Sequence, residues 1–217
     1  MKELSAKVIL LGEATVGKSS MMLRYFENRF EENIPNTIGT SFLTKIIEDG
    51  GSHLKLNVWD TCGQERFMAL ASIYYKDANV IILMLDCENE RSLEQAEKYL
   101  DEIHSNASAS VTIILVVNKI DLLPTYREGF DVDEGVYQTC SFYNKIKKFK
   151  SKNGLDNLFW ISAKEDIHVT EVFDYIAESI FNGKIRIVAN EMKGSTKKLL
   201  AKSVVRDGSK KKEGGCC

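Results

Sequence analysis

The sequence predicts a doubly wound α/β domain: a mostly parallel six-stranded sheet with one antiparallel edge strand and helices on both faces. Three observations carry this. Val80 to Asp86 and Val111 to Asn118 are apolar runs that each end in a polar residue, the pattern of central strands covered on both faces. Between them Leu93, Ala96, Leu100 and Ile103 recur at helical spacing. The apolar run Ala6 to Leu11 leads straight into a glycine-bounded turn and then a helix, the order in which an α/β sheet places its ligand.

The elements follow in chain order. Ala6 to Leu11 is the first strand, and the helix after it runs to about Asn28 with Met22, Tyr25 and Phe26 on one side. The polar stretch Glu31 to Thr37 is expected as loop. Phe42 to Glu48 and Leu54 to Asp60 flank Asp49-Gly50-Gly51-Ser52, a connection so short that the two strands must be an antiparallel hairpin. After the strands at Val80 and Val111, the residues Phe142, Ile146 and Phe149 mark a helix. Leu158 to Ser162 is a last short strand, and Val172, Phe173, Ile176, Ala177 and Ile180 mark the final helix. Past Gly183 the periodicity fades into Lys, Ser and Gly, which reads as a disordered linker.

At 217 residues the chain holds one well-buried domain with length to spare. Its net charge of −2 hides an asymmetry, because Lys193 to Cys217 carries eight basic residues against Asp207 and Glu213. No run approaches a membrane span and the opening lacks the apolar stretch of a signal peptide, so the body is expected in the cytosol. Cys62, Cys87 and Cys140 have no metal-ligand spacing and suggest neither a disulfide framework nor a zinc site.

Gly12 to Ser19 fits G-x-x-x-x-G-K-[ST], which makes the architecture one of the P-loop NTPase type. Glu13, Ala14, Thr15, Val16, Gly17, Lys18, Ser19 and Ser20 form the phosphate cradle. Backbone N–H groups converge there with a helix N-terminus, Lys18 reaches the β/γ-phosphates and the Ser19 hydroxyl can ligate magnesium. Trp59 to Glu65 supplies the other half: Asp60 can hold magnesium through water, the Gly63 N–H can donate to a γ-phosphate oxygen, and Gln64 can position the attacking water. In Asn118-Lys119-Ile120-Asp121, a carboxylate at Asp121 can accept from the N1–H and exocyclic amine of guanine, an edge that adenine lacks. Lys119 can lie along the base, Asn118 can tie this loop to the phosphate loop, and Ser162-Ala163-Lys164 can offer a backbone N–H to the guanine O6.

Together these segments resemble the Ras superfamily of small GTPases, and within it the Rab family, over residues 6–182 and the chain end. The resemblance implies a GTP/GDP-switched regulator of vesicle traffic that hydrolyses GTP slowly without an activating protein; the alternative is a GTP-dependent binding module with little hydrolysis. It assigns Thr37 to magnesium and the γ-phosphate, Phe30 to packing on guanine, and Phe42, Trp59 and Tyr74 to an effector surface. It reads Cys216 and Cys217 as sites of double geranylgeranylation, which two chains and a basic tail make physically sound for membrane attachment. Residues 1–182 are then the GTP-binding domain and 183–217 a flexible tail. The implied partners are an exchange factor, a GTPase-activating protein, effectors, a GDP-dissociation inhibitor and the prenylation machinery, with no nucleic acid. The protein is expected to be a monomer that cycles between the cytoplasm and the cytosolic face of internal membranes.

Several positions depart from that pattern. Ala14 puts a side chain where it can crowd Gln64, and Cys62 stands where the family usually has alanine. Ile34 replaces the switch tyrosine of Ras proteins, Asp77-Ala78 replaces a basic-glycine pair, and Tyr126 to Asp133 looks like extra loop.

Overall fold

Strands Val80–Asp86 and Thr112–Asn118 lie next to one another in the interior of a six-stranded sheet, because segments apolar on both faces are stable only when covered on both. The computed structural model describes residues 3–35, 37, 39–63 and 74–187. In chain order the elements are β1 (Glu3–Leu11), α1 (Lys18–Glu27), β2 (Thr40–Asp49), β3 (Ser52–Thr61), β4 (Val80–Asp86), α2 (Arg91–Asn106), β5 (Thr112–Asn118), a 3-10 turn at Ile120–Leu122, α3 (Glu134–Tyr137), α4 (Tyr143–Lys152), β6 (Asn157–Trp160) and α5 (Val169–Phe181). The strand order is β2-β3-β1-β4-β5-β6. Every pairing is parallel except that of β2 with β3, the hairpin expected at the edge.

β1 shows how the sequence builds two cores at once. Val8 and Leu10 face one side and join Met21 and Tyr25 of α1 and Phe173 and Ile176 of α5. Ile9 and Leu11 face the other and join Leu93 and Leu100 of α2 and Ile146 and Phe149 of α4. All are at most 8% exposed, so the alternation with period two is what lets one strand anchor helices on both faces. Tyr25 stacks on Phe173 with ring centroids 3.8 Å apart, locking α1 against α5.

The element ends differ from the sequence reading where pairing, rather than pattern, sets them. Each hairpin strand starts two residues before its predicted start and runs one residue past its predicted end, since Thr40↔Thr61 and Asp49↔Ser52 still pair. Phe142 precedes α4 as its N-cap, and β6 stops at Trp160 because the Ser162 N–H leaves the ladder for the Ile167 carbonyl. The α3 turn was not foreseen: Asp133 starts it by accepting from the N–H groups of Gly135 and Val136. Tyr126 to Asp133 does form a loop without helix or strand.

Packing continues past residue 182. Ile185 is 2% exposed within the core beside α5, and its N–H bonds the Ser179 carbonyl. The described chain thus stays docked to Ile187. Among the described residues no helix is long and apolar enough to cross a membrane.

Candidate functional site

The C-terminal ends of β3 and β5 and the turns after β1 and β6 open onto one cavity of about 400 Å³, and most of the residues singled out in the sequence line it. Its floor is the turn from β1 into α1. Gly17 caps α1 with φ 98°, in the left-handed region, and a Cβ there would collide with the Asn118 side-chain amide. The turn therefore brings bare backbone and the N-terminus of α1 to the cavity, an arrangement suited to an anion.

Lys18 is 5% exposed and donates from Nζ to the carbonyls of Gly12 and Glu13, both at 2.8 Å. Burial lowers its pKa to about 8 against the opposing pull of Asp60, Cys62 and Glu13. A phosphate beside it would favour the ammonium again. Two donors are thus anchored to the loop and the third is left for a ligand.

Three oxygens from distant parts of the chain meet beside Lys18. Ser19 Oγ donates to Asp60 Oδ2 at 2.6 Å, lies 2.9 Å from Thr37 Oγ1, and Thr37 Oγ1 reaches the same carboxylate oxygen at 3.3 Å. Asp60 is 1% exposed and its Oδ1 has no hydrogen-bond partner among the described residues. Burial raises the carboxyl pKa, opposed by the Ser19 hydroxyl, Lys18 and Thr37. A buried carboxylate oxygen without a donor calls for a cation, and two hydroxyls with one carboxylate are the hard donors that magnesium takes when phosphates complete its shell. The residues fit that ion. Across the cavity, a Cβ on Gly63 would collide with Lys18 Nζ and come within 2.6 Å of the Ala14 nitrogen, so only glycine allows this backbone to close on the phosphate loop.

The other end of the cavity is built by the loops after β5 and β6. Asn118 Nδ2 donates to the Val16 carbonyl at 2.9 Å and Asn118 Oδ1 accepts from the Ala163 N–H at 3.0 Å. One side chain therefore joins the phosphate loop to both later loops. Ser162 Oγ donates to Asp121 Oδ1 at 2.6 Å, which fixes the carboxylate. Lys119 adopts φ 68°, a conformation that costs a non-glycine residue roughly 1–2 kcal/mol. It is held there by its ion pair with Asp86 Oδ2 at 2.6 Å and by the Cys87 thiol on its carbonyl at 3.0 Å. Phe30, Lys119, Asp121, Ala163 and Lys164 line this end.

Some predicted residues take part through backbone only. Val16 is fully buried in the core, and the Glu13 carboxylate faces Arg91 and Asn89 at 3.3 Å each. Ser162 and Asp60 stand behind the cavity wall rather than on it. Ala14, Thr15, Ser20, Ile34 and Cys62 line the cavity as well. Asp86 and Arg91 were missed, since neither lies in a recognisable motif; the polar end of β4 was the only available signal. Gln64, Cys216 and Cys217 lie outside the described residues.

Phe42, Trp59 and Tyr74 form a continuous aromatic run, with centroids 4.8 Å and 5.9 Å apart, across the β2–β3 edge of the sheet. Phe42 is 46% exposed.

A family model described as the Ras family matches residues 7–182. The chain is 36% identical to Ras-related protein Rab-21 of Mus musculus, over 77% of this chain and 76% of that one. It is 45% identical to GTP-binding protein YPT53 of Saccharomyces cerevisiae, over 82% of this chain and 77% of that one. To GTP-binding protein ypt5 of Schizosaccharomyces pombe it is 35% identical, over 82% and 78%. The cavity with its phosphate turn and base-end carboxylate, the sheet order, and these likenesses agree: the chain belongs to the Ras family, as a small GTPase of the Rab kind.

Proposed function

We propose that the cavity holds GTP or GDP with magnesium, and that the protein is a Rab-like GTPase that regulates vesicle traffic by switching between the two nucleotides. The observation that carries the residue assignments is the meeting of Ser19 and Thr37 on Asp60 Oδ2, with Oδ1 of the same carboxylate orphaned among the described residues, next to a lysine with one donor to spare. Ser19 and Thr37 would hold the magnesium directly and Asp60 through water. When bound, the ion offsets charge on the β/γ-phosphate oxygens. Lys18 and the N–H groups of Ala14 to Ser20 bind the phosphates, Gly63 meets the γ-phosphate, and Gln64 orients the attacking water. Asp121 reads guanine while Asn118, Ser162 and the Ala163–Lys164 turn hold it in place. Phe30 covers the base, and Lys119 lies along it.

Loss of the γ-phosphate removes the contacts at Thr37 and Gly63 together, which is how hydrolysis becomes a change of surface. The aromatic run of Phe42, Trp59 and Tyr74 adjoins both segments and is the surface on which effectors would read the change. A nucleotide-binding domain followed by a basic tail, prenylated at Cys216 and Cys217, would hold the protein on the cytosolic face of internal membranes. Exchange factor, activating protein, GDP-dissociation inhibitor and prenylation machinery are the partners this cycle requires.

Single-turnover phosphate release from the full chain, preloaded with GTP and magnesium, tests the assignment. Slow release that Gln64→Leu abolishes is the expected result. Tight GTP binding with no release from either protein would leave a binding module instead of a timed switch.

A further inference from the structure

Arg24 lies on α1, two turns past the phosphate loop, and belongs to no motif. Its guanidinium nevertheless crosses to the turn after β6: Nε donates to the Ala163 carbonyl at 3.0 Å and Nη2 to the Lys164 carbonyl at 2.8 Å. Nη1 completes the fork on Asn28 Oδ1 at 3.3 Å. We propose that Arg24 is a positioning residue for guanine recognition, gripping two successive peptide units so that their N–H groups face the base and its carboxylate. The proposal rests on the reading of the cavity as a guanine site.

A trans peptide is planar, with its C=O and N–H pointing in opposite directions. Holding the Ala163 carbonyl on the α1 side therefore aims the N–H of Lys164 away from α1. Ala163 has already given its own N–H to Asn118, so the Lys164 N–H is the donor this turn has left for the guanine O6. Holding the Lys164 carbonyl aims the next N–H, that of Glu165, in the same way. That group donates to Ser162 Oγ at 3.0 Å, and Ser162 Oγ in turn donates to Asp121 at 2.6 Å. One guanidinium thus sets both halves of the base edge.

The contacts also close a ring. Val16 in the phosphate loop binds Asn118, Asn118 binds Ala163, Ala163 binds Arg24, and Arg24 returns through α1 to the phosphate loop. A planar fork suits this, because Nε and Nη2 are fixed in one plane and point at the two carbonyls together, whereas a lysine carries its donors on a single rotatable ammonium.

The test is the dissociation rate of GDP, and of purine riboside diphosphate, from the full chain and from Arg24→Met and Arg24→Lys. The analogue keeps the phosphates and the ring but has no O6, no proton on N1 and no exocyclic amine. With two charge-assisted hydrogen bonds removed, Arg24→Met should release GDP about 10-fold faster or more. Arg24→Lys should lie between it and the wild type. Release of the analogue should change by no more than about 2-fold, because the contacts being aimed are absent from it. Equal acceleration of both nucleotides would mean that Arg24 merely stiffens the fold, and unchanged GDP release would mean that the clamp is idle; either overturns the proposal. Failure of the underlying reading looks different: the wild-type chain would then hold GDP no better than the analogue.

Discussion

Asp121 Oδ1 sits 2.6 Å from Ser162 Oγ, across a sequence gap that spans α3, α4 and β6. The carboxylate therefore does not choose its own direction. It is set by a hydroxyl that belongs to the next loop, so the two base-end loops act as one unit. Ser162→Ala should leave Asp121 free to rotate and quicken GDP release by about 5–10-fold, the loss of one hydrogen bond to a charged group. Stopped-flow release of a ribose-labelled GDP measures it.

Asp121→Asn tests the direction of those hydrogen bonds. The carboxylate accepts from two guanine donors, whereas an amide can donate toward a base with a carbonyl at the same edge. Affinity for GDP should fall by at least about 100-fold, as happens when a buried donor is left unpaired at a site built for it. Xanthosine diphosphate should bind better than it does to the wild type. Competition between the two nucleotides reads both changes, and a proportional loss of both would show that Asp121 does not face the base.

Magnesium removal provides a third measurement. Chelation should speed GDP release from the wild-type chain, because Ser19 and Thr37 converge on Asp60 Oδ2 and the other carboxylate oxygen, Oδ1, has no partner among the described residues, a donor set that suits a cation. In Asp60→Ala, release should be fast from the outset and respond little to the chelator. If that variant still shows the full wild-type response, the metal lies elsewhere.

These sites were readable to very different degrees. The phosphate loop and Asn118–Asp121 are consecutive residues whose chemistry is local, so spacing alone gave them away. β4 and β5 were equally plain, as runs apolar on both faces have few alternatives. Arg24 was hidden because its partners lie 139 and 140 residues away, and nothing around it in sequence distinguishes it from a solvated helix arginine. Thr37, Phe30 and the aromatic run were found only through resemblance, since a lone threonine or aromatic carries no signal of its own. The missed α3 is a single turn, too short for any periodicity to register.

Tyr75 offers a test of the core. It is fully buried, yet its hydroxyl has no hydrogen-bond partner among the described residues. Tyr75→Phe removes the unpaired group and keeps the ring, so it should stabilise the fold by about 1 kcal/mol, seen as a higher urea midpoint at unchanged slope. A marked loss of stability would reveal a partner for that hydroxyl.

Ile185 decides where the domain ends. The sequence past Gly183 has no periodicity to suggest packing, and a single apolar residue among Lys184 and Arg186 reads as linker. In the structure it is buried beside α5, with its N–H on Ser179 and the following Arg186 carbonyl accepting from Asn79 at 3.5 Å. The segment thus straps the start of β4 to the end of α5. Ile185→Ala should cost about 2–4 kcal/mol, the usual loss for a large aliphatic removed from a core. A chain ending at residue 182 should be destabilised at least as much relative to one ending at 187, and urea unfolding of the two distinguishes a strap from a tether. Equal stability would return the boundary to residue 182.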